Sequence, residues 1–177
     1  YLVPSFPGID FDVFLSYNAS YCYTKDEVIF SNPIPKEDVK AIVENASEIH
    51  RPVFLAGVEG GGANGCDKDL ADYFAIAKSK VNVLDNFDFE KLMDYKEEYA
   101  DILRDVDGAR ITAWWTRAAY ITPANGNKGV GVRKILDYYH LLDKENAIAF
   151  GDGTNDIEML EAVGTGVAMG NATDDVK

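Results

Sequence analysis

Three charged side chains and one amide stand where they could bind a phosphoryl group. Asp152 and Asp156 lie four positions apart in the turn Gly151-Asp152-Gly153-Thr154-Asn155-Asp156, directly after the apolar run Asn146–Phe150. Two carboxylates at the end of a strand can converge on one hard cation. Mg²⁺ takes oxygen ligands, keeps several waters and commonly uses one or two carboxylates together with a substrate phosphate. Asn155 can donate to an anion through its amide. Lys128, in Gly126-Asn127-Lys128-Gly129, opens a helical pattern, so backbone N–H groups and the helix dipole would favour an anion beside its ammonium. Metal, lysine and helix end together describe a phosphoryl-binding site, with Asp152 and Asp156 on the metal and Lys128 and Asn155 on the phosphate. Taken singly, each residue has a plainer use. An acid can cap a solvated loop, a lone lysine is a surface residue, and Asn155 can serve a left-handed turn.

These residues need rigid elements to carry them. From Gly129 onward the chain alternates: a helix over about Val130–Leu142, a strand over Ala147–Phe150, a helix over Asp156–Val163 and a strand over Gly166–Met169. A further helix begins near Thr173. That is the pattern of a parallel α/β sheet, which places ligands at the carboxyl ends of its strands. Earlier, Phe11–Ser16 reads as a buried strand, and Ser20–Thr24 and Glu27–Phe30 as a hairpin turning at Lys25-Asp26. Pro35–Asp38 opens a helix with Val39, Ile42, Val43, Ala46 and Ile49 on its apolar stripe, and Pro52 stops it. Val53–Val58 reads as a strand running into a mobile or tightly turned glycine-rich loop, Glu59–Gly65, which lacks the Gly-Lys-Ser/Thr ending of a phosphate-binding P-loop. Helices are expected over Lys68–Ser79 and Glu97–Val106, and strands over Arg110–Trp115 and Ala118–Thr122. Phe89–Tyr95 fits either helix or strand.

The 177 residues suit one ordinary domain or two small ones. Seventeen basic against thirty acidic residues give a net charge of −13, which repels nucleic acid and anionic membrane alike. A phosphorylated substrate would be repelled too, unless a cation and a local lysine reverse the sign inside the site. No apolar run is long enough to span a membrane and no signal peptide opens the chain. Cys22 and Cys66 match no metal spacing and read as reduced thiols of a cytoplasmic protein; His50 and His140 are given no role.

Three stretches together resemble the haloacid dehalogenase (HAD) superfamily, in particular its Cof-type, subclass IIB phosphatases. They are Ile121-Thr122-Pro123 with Asn127–Gly131, then Ile148–Leu160, then Val167–Ala172. Ser16-Tyr17-Asn18-Ala19 looks like the family's turn ahead of an inserted cap domain, with the family's glycine replaced. The resemblance implies an α/β fold: an incomplete Rossmannoid parallel-sheet core with an inserted α+β cap. Residues 1–19 would be a core segment, 20–117 the cap, and 118–177 the C-terminal part of the core. It also implies a Mg²⁺-dependent phosphatase of small phosphomonoesters, such as sugar phosphates or phosphorylated cofactors. Lys128 would be catalytic and phosphate-binding, Asn155 phosphate-binding, and Asp152 and Asp156 the metal ligands. A phosphotransferase or mutase of the same superfamily, or a non-catalytic metal- or phosphate-binding fragment, are the alternatives.

In that family an aspartate of an N-terminal Asp-x-Asp motif attacks phosphorus, and its neighbour acts as general acid and base. Two stretches here carry the Asp-x-Asp form. Asp10-Phe11-Asp12 follows Pro4–Gly8, which cannot make a buried strand, and Asp105-Val106-Asp107 follows a helix. Both read as turn and helix-end acids. The nucleophile is therefore expected ahead of Tyr1, the chain alone is expected to be inactive, and the exposed edges of its incomplete sheet invite self-association.

Overall fold

The computed structural model describes residues 7–58, 60–76, 100–115, 118–141 and 144–177. In chain order the strands are β1 (Phe14–Ser16), β2 (Tyr21–Tyr23), β3 (Val28–Ser31), β4 (Phe54–Gly57), β5 (Gly60–Ala63), β6 (Ala109–Trp115), β7 (Ala118–Pro123), β8 (Ile148–Gly151) and β9 (Thr165–Ala168). The helices are α1 (Lys36–Glu48), α2 (Lys68–Ile76), α3 (Lys128–Tyr138) and α4 (Ile157–Glu161), with single 3₁₀ turns at Lys144–Asn146 and Thr154–Asp156. The chain divides into two units, one of residues 35–120 and one joining 2–34 to 121–177.

The unit carrying the candidate residues is built around a small βαβ crossover. Strands β8 and β9 pair in parallel, Ile148 with Thr165 through Gly151 with Ala168, and the Thr154–Asp156 turn and α4 return the chain between them. Along β8 burial alternates: Ala149 and Gly151 are covered, while Ile148 and Phe150 stay 63% and 62% exposed. The covered side must be small because α4 lies close. A side chain at Gly166 would sit less than 3.0 Å from the carbonyl oxygen of Leu160. Helix α3 packs on the other side of α4 and against the antiparallel sheet β1-β2-β3. Two glycines permit that double contact: Gly129 abuts the backbone of Glu158, and Gly131 abuts Ala19 and the thiol of Cys22. Cys22 is wholly buried, and burial pushes its thiol up to about 11, so it behaves as a small core residue.

Hairpin β2–β3 turns at Lys25-Asp26 as the sequence implies, with Thr24 Oγ1 accepting the N–H groups of Asp26 and Glu27. It lies in the same compact unit as β8 and β9. Within that unit β2 and β3 contact α3.

In the other unit, α1 starts behind Pro35 with Glu37 and Asp38 in its first turn. It ends at Ile49 and the left-handed His50, before Pro52 is reached. The buried amide of Asn45 is fully used: it donates to the carbonyls of Ile102 and Arg104 (3.2 and 2.9 Å) and accepts from the Arg104 guanidinium (3.0 Å). Arg104 also reaches Glu48 at 2.7 Å, and Asp38 accepts the Gly108 N–H at 2.9 Å. Asp105 sits at a positive φ in this turn, as a helix-end acid would. Of the helix expected over Glu97–Val106, residues 100–102 are helical and turns follow.

The glycine run is not a loop. Gly60–Ala63 is strand β5, paired antiparallel with β4 from Phe54 opposite Ala63 to Gly57 opposite Gly60. A ladder needs only backbone groups, and here a side chain would obstruct it, since a Cβ at Gly61 would meet the Phe54 ring. Asn64 closes the hairpin, accepting the Val53 N–H at 2.6 Å. Phe89–Tyr95, the end of the helix read to Ser79 and the turn Thr116-Arg117 lie outside the described residues. Among the described residues no helix is long and apolar enough to cross a membrane.

Candidate functional site

Strand β8 delivers Gly151 and Asp152 to its carboxyl end, and the chain turns at once into the 3₁₀ turn Thr154–Asp156. What closes that turn is Asp156. Its Oδ2 accepts the N–H groups of Asp152 and Gly153, both at 3.1 Å, and its own N–H donates to the Gly153 carbonyl at 2.9 Å. Gly151 must lack a side chain because Asp156 occupies the space a Cβ would take. The other carboxylate oxygen, Oδ1, accepts the ammonium of Lys128. Lys128 is the first residue of α3, whose N-cap Asn127 is extended and accepts the Val130 N–H at 2.8 Å. The carboxylate of Asp156 is therefore a buried hub joining α3 to the turn.

Burial is the largest single influence on Asp156 and opposes its ionisation. The Lys128 ammonium and the N–H groups of Gly153 and Asp152 together outweigh it and hold the carboxyl below its ordinary value. Asp156 is 6% exposed and the Lys128 side chain 26% exposed. The pair is thus sheltered but reachable at the lysine end.

Asp152 differs in kind. It is exposed, and its Oδ2 accepts the amide of Asn171 at 2.7 Å. Asn171 follows β9, and parallel pairing brings the residues beyond β8 and β9 to the same end of the sheet. No role was assigned to Asn171 from the sequence; its place just past a strand parallel to β8 is the signal that could have found it. Asn155 donates one N–H of its Nδ2 to Asn18 Oδ1 at 2.9 Å, while its own Oδ1 lies over Gly153.

The four residues read from the sequence thus converge, with different degrees of engagement. Lys128 and Asp156 are joined directly, Asp152 and Asp156 are linked through the turn's backbone, and Asn155 is tethered from Asn18. Among the described residues no three of His, Cys, Asp and Glu cluster to form a ready-made metal cage. The donors at the turn are oxygens: the Asp152 carboxylate, the Asn155 carbonyl oxygen and the Asp156 carboxylate already bonded within the fold. Such a set suits a hydrated hard cation that keeps several waters, and not one that wants thiolate or imidazole. The two histidines lie elsewhere, His50 and His140 both left-handed at the ends of α1 and α3. Asp10 is exposed and paired with Lys25 at 2.5 Å, which leaves it in a surface ion pair.

Comparison with known proteins matches this arrangement to a family. A family model described as haloacid dehalogenase-like hydrolase matches residues 3–177. The chain is 28% identical over 178 residues to the putative phosphatase YkrA of Bacillus subtilis, covering 93% of the chain and 66% of YkrA. It is 50% identical over 126 residues to the 5-amino-6-(5-phospho-D-ribitylamino)uracil phosphatase YitU of the same organism, covering 63% of the chain and 46% of YitU. The chain therefore spans about half to two thirds of the length of these relatives. Among solved structures, the HAD subclass IIB sugar phosphatase BT4131 superposes with a TM-score of 0.80 at 25% identity, covering 93% of the chain and 66% of that structure. BT1666 of Bacteroides thetaiotaomicron superposes with a TM-score of 0.77 at 29% identity, covering 94% and 65%. With its lysine at the head of α3 and its two aspartates on the turn after β8, the chain belongs to the haloacid dehalogenase-like hydrolases.

Proposed function

We propose that residues 1–177 supply the lysine-and-carboxylate half of the active site of a Mg²⁺-dependent phosphatase that hydrolyses small phosphomonoesters. Sugar phosphates or phosphorylated cofactors are the substrate class, in keeping with the phosphatases it resembles. The observation that carries the reading is the Lys128–Asp156 pair beside the exposed carboxylate of Asp152 at the end of a parallel strand.

In this reading Asp152 holds the Mg²⁺, with Asp156 assisting through water and Asn155 offering an oxygen. The bound ion would supply charge neutralisation for the transferring phosphoryl group. The chain's own residues do the rest. Asp156 fixes the direction of the Lys128 ammonium, so that its remaining N–H bonds can meet phosphoryl oxygens. Because Lys128 is already paired, little reorganisation accompanies substrate entry. The nucleophilic aspartate and the general acid and base would come from outside residues 1–177, and residues 20–117 would supply the substrate-selecting cap. A net charge of −13 argues against nucleic acid or anionic membrane as partners. Two free thiols suit the cytoplasm, and the edges of the β8–β9 sheet are where two copies would pair.

The test is titration of the purified chain with Mn²⁺, followed by electron paramagnetic resonance, with and without inorganic phosphate. Uptake at one class of site, tightened by phosphate and lost in Asp152→Asn, is the expected result. Equal uptake by Asp152→Asn would remove the metal from this turn. The same chain should show no turnover of a chromogenic phosphate ester, and Mg²⁺-dependent hydrolysis would refute the external nucleophile.

A further inference from the structure

The segment before β2 holds three consecutive residues in the left-handed region, Tyr17, Asn18 and Ala19, at φ of 55°, 53° and 61°. None is glycine. Single residues visit this region; a run of three with side chains is costly and persists only where its surroundings enforce it. The enforcement is visible. Ser20 N–H donates to the Tyr17 carbonyl at 3.1 Å, Asn32 N–H donates to the Ser20 carbonyl at 2.8 Å, and the buried Ala19 sits against Gly131 of α3. The group this turn presents is the Asn18 side chain, and its partner is Asn155, 137 positions away in the Asp152–Asp156 turn.

We propose that Asn18 is a positioning residue, whose carbonyl oxygen holds the Asn155 amide so that the Asn155 oxygen faces the turn beside Asp152. The bookkeeping of the amide supports this. Nδ2 of Asn155 is committed to Asn18 at 2.9 Å, so Oδ1 is directed the other way, over Gly153. Gly153 makes room for it, since a Cβ there would lie 2.6 Å from that oxygen. The clasp converts Asn155 from a side chain able to present either end into one presenting an acceptor, the end a hard cation or its water requires. Residues that orient a ligand from behind commonly matter nearly as much as the ligand itself. The proposal rests on the metal reading above and concerns which group aims that site.

The test separates holding the fold from aiming the amide. Asn18→Gly removes the clasp while suiting the left-handed backbone, so it is expected to melt no lower than the wild type. It should nevertheless weaken Mn²⁺ binding about 10-fold. Asn18→Asp keeps an acceptor in place and should restore wild-type affinity or better. In the metal-free chain, the Asn155 side-chain amide signal in ¹H–¹⁵N spectra should move in Asn18→Gly and return in Asn18→Asp. Equal Mn²⁺ affinity in wild type and Asn18→Gly, with Asp152→Asn binding none, overturns the positioning role. A wild-type chain that binds no Mn²⁺ at this turn sinks the metal reading instead, and the amide signal then decides the clasp: unmoved in Asn18→Gly, it refutes it; moved, it upholds it.

Discussion

Asp156→Ala is expected to destabilise the unit containing β8 and β9 by about 3 kcal/mol at pH 7. Removing one partner of a buried ion pair costs roughly 3–5 kcal/mol because the other charge is left behind. The lower end applies here, since the Lys128 side chain is 26% exposed and can recover some hydration. Two further donors, the N–H groups of Asp152 and Gly153, lose their acceptor at the same time. In urea unfolding the midpoint should fall by roughly 1–3 M, given ordinary slopes. Lys128→Met should cost less, because Asp156 would keep both backbone donors. The difference depends on pH in a definite direction. The folded-state carboxyl of Asp156 titrates below its ordinary value of 3.8, so its stabilisation is fully present above that value and is lost as pH falls through the folded one. The gap between wild type and Asp156→Ala should therefore begin to narrow only as pH falls below about 4. A gap that stays constant from pH 7 to pH 3 would show that the carboxylate's charge does not contribute.

A substitution at Gly129 should be nearly as damaging, for steric reasons. In an exposed helix interior, glycine to alanine gains up to about 1 kcal/mol. At this position the new Cβ would press on the carbonyl carbon and oxygen of Glu158, within 3.0 Å. Those are backbone atoms of α4 and cannot rotate aside. Overpacking of this kind costs roughly 1–3 kcal/mol for added methylenes, so Gly129→Ala should lose stability despite its better helix propensity, and Gly129→Val should lose more. Moving α3 away from α4 also moves Lys128, one residue earlier, away from Asp156. Phosphate-stimulated Mn²⁺ uptake should then drop to the level seen in Lys128→Met. Gly170→Ala is the control, because a Cβ there meets nothing within 4 Å. If Gly129→Ala were as stable as that control, α3 and α4 would have to pack less closely than described.

The turn after β8 was legible because its meaning is local. A short apolar run, a glycine and two acids before a helical pattern specify a strand end, and the parallel pairing of β8 with β9 follows from the same stretch. The pairing inside the site was less legible. Nothing in the spacing of Lys128 and Asp156 says that the lysine meets this acid and leaves Asp152 in water; that outcome depends on how closely Gly129 lets α3 approach α4. Asn18 and Asn171 were missed for the same reason, since each meets the turn through tertiary contact. The glycine run Gly60–Ala63 was misread because composition speaks for turns, whereas the space under the Phe54 ring decides for a strand. The packing of the hairpin Tyr21–Ser31 on α3 is likewise a tertiary contact that no local pattern announces.

The alternation along β8 has a practical consequence for anyone handling residues 1–177 by themselves. Ile148 and Phe150, 63% and 62% exposed within residues 1–177, form an apolar surface on one strand of this chain. Dyes such as 8-anilinonaphthalene-1-sulfonate fluoresce on such surfaces, and their signal is commonly read as a molten globule. Here the folded chain should already enhance the dye, with near-ultraviolet circular dichroism intact, and Phe150→Ser should dim it without shifting the melting temperature. Dye-based melting curves would then start from a high baseline, and circular dichroism is the sounder probe of its unfolding.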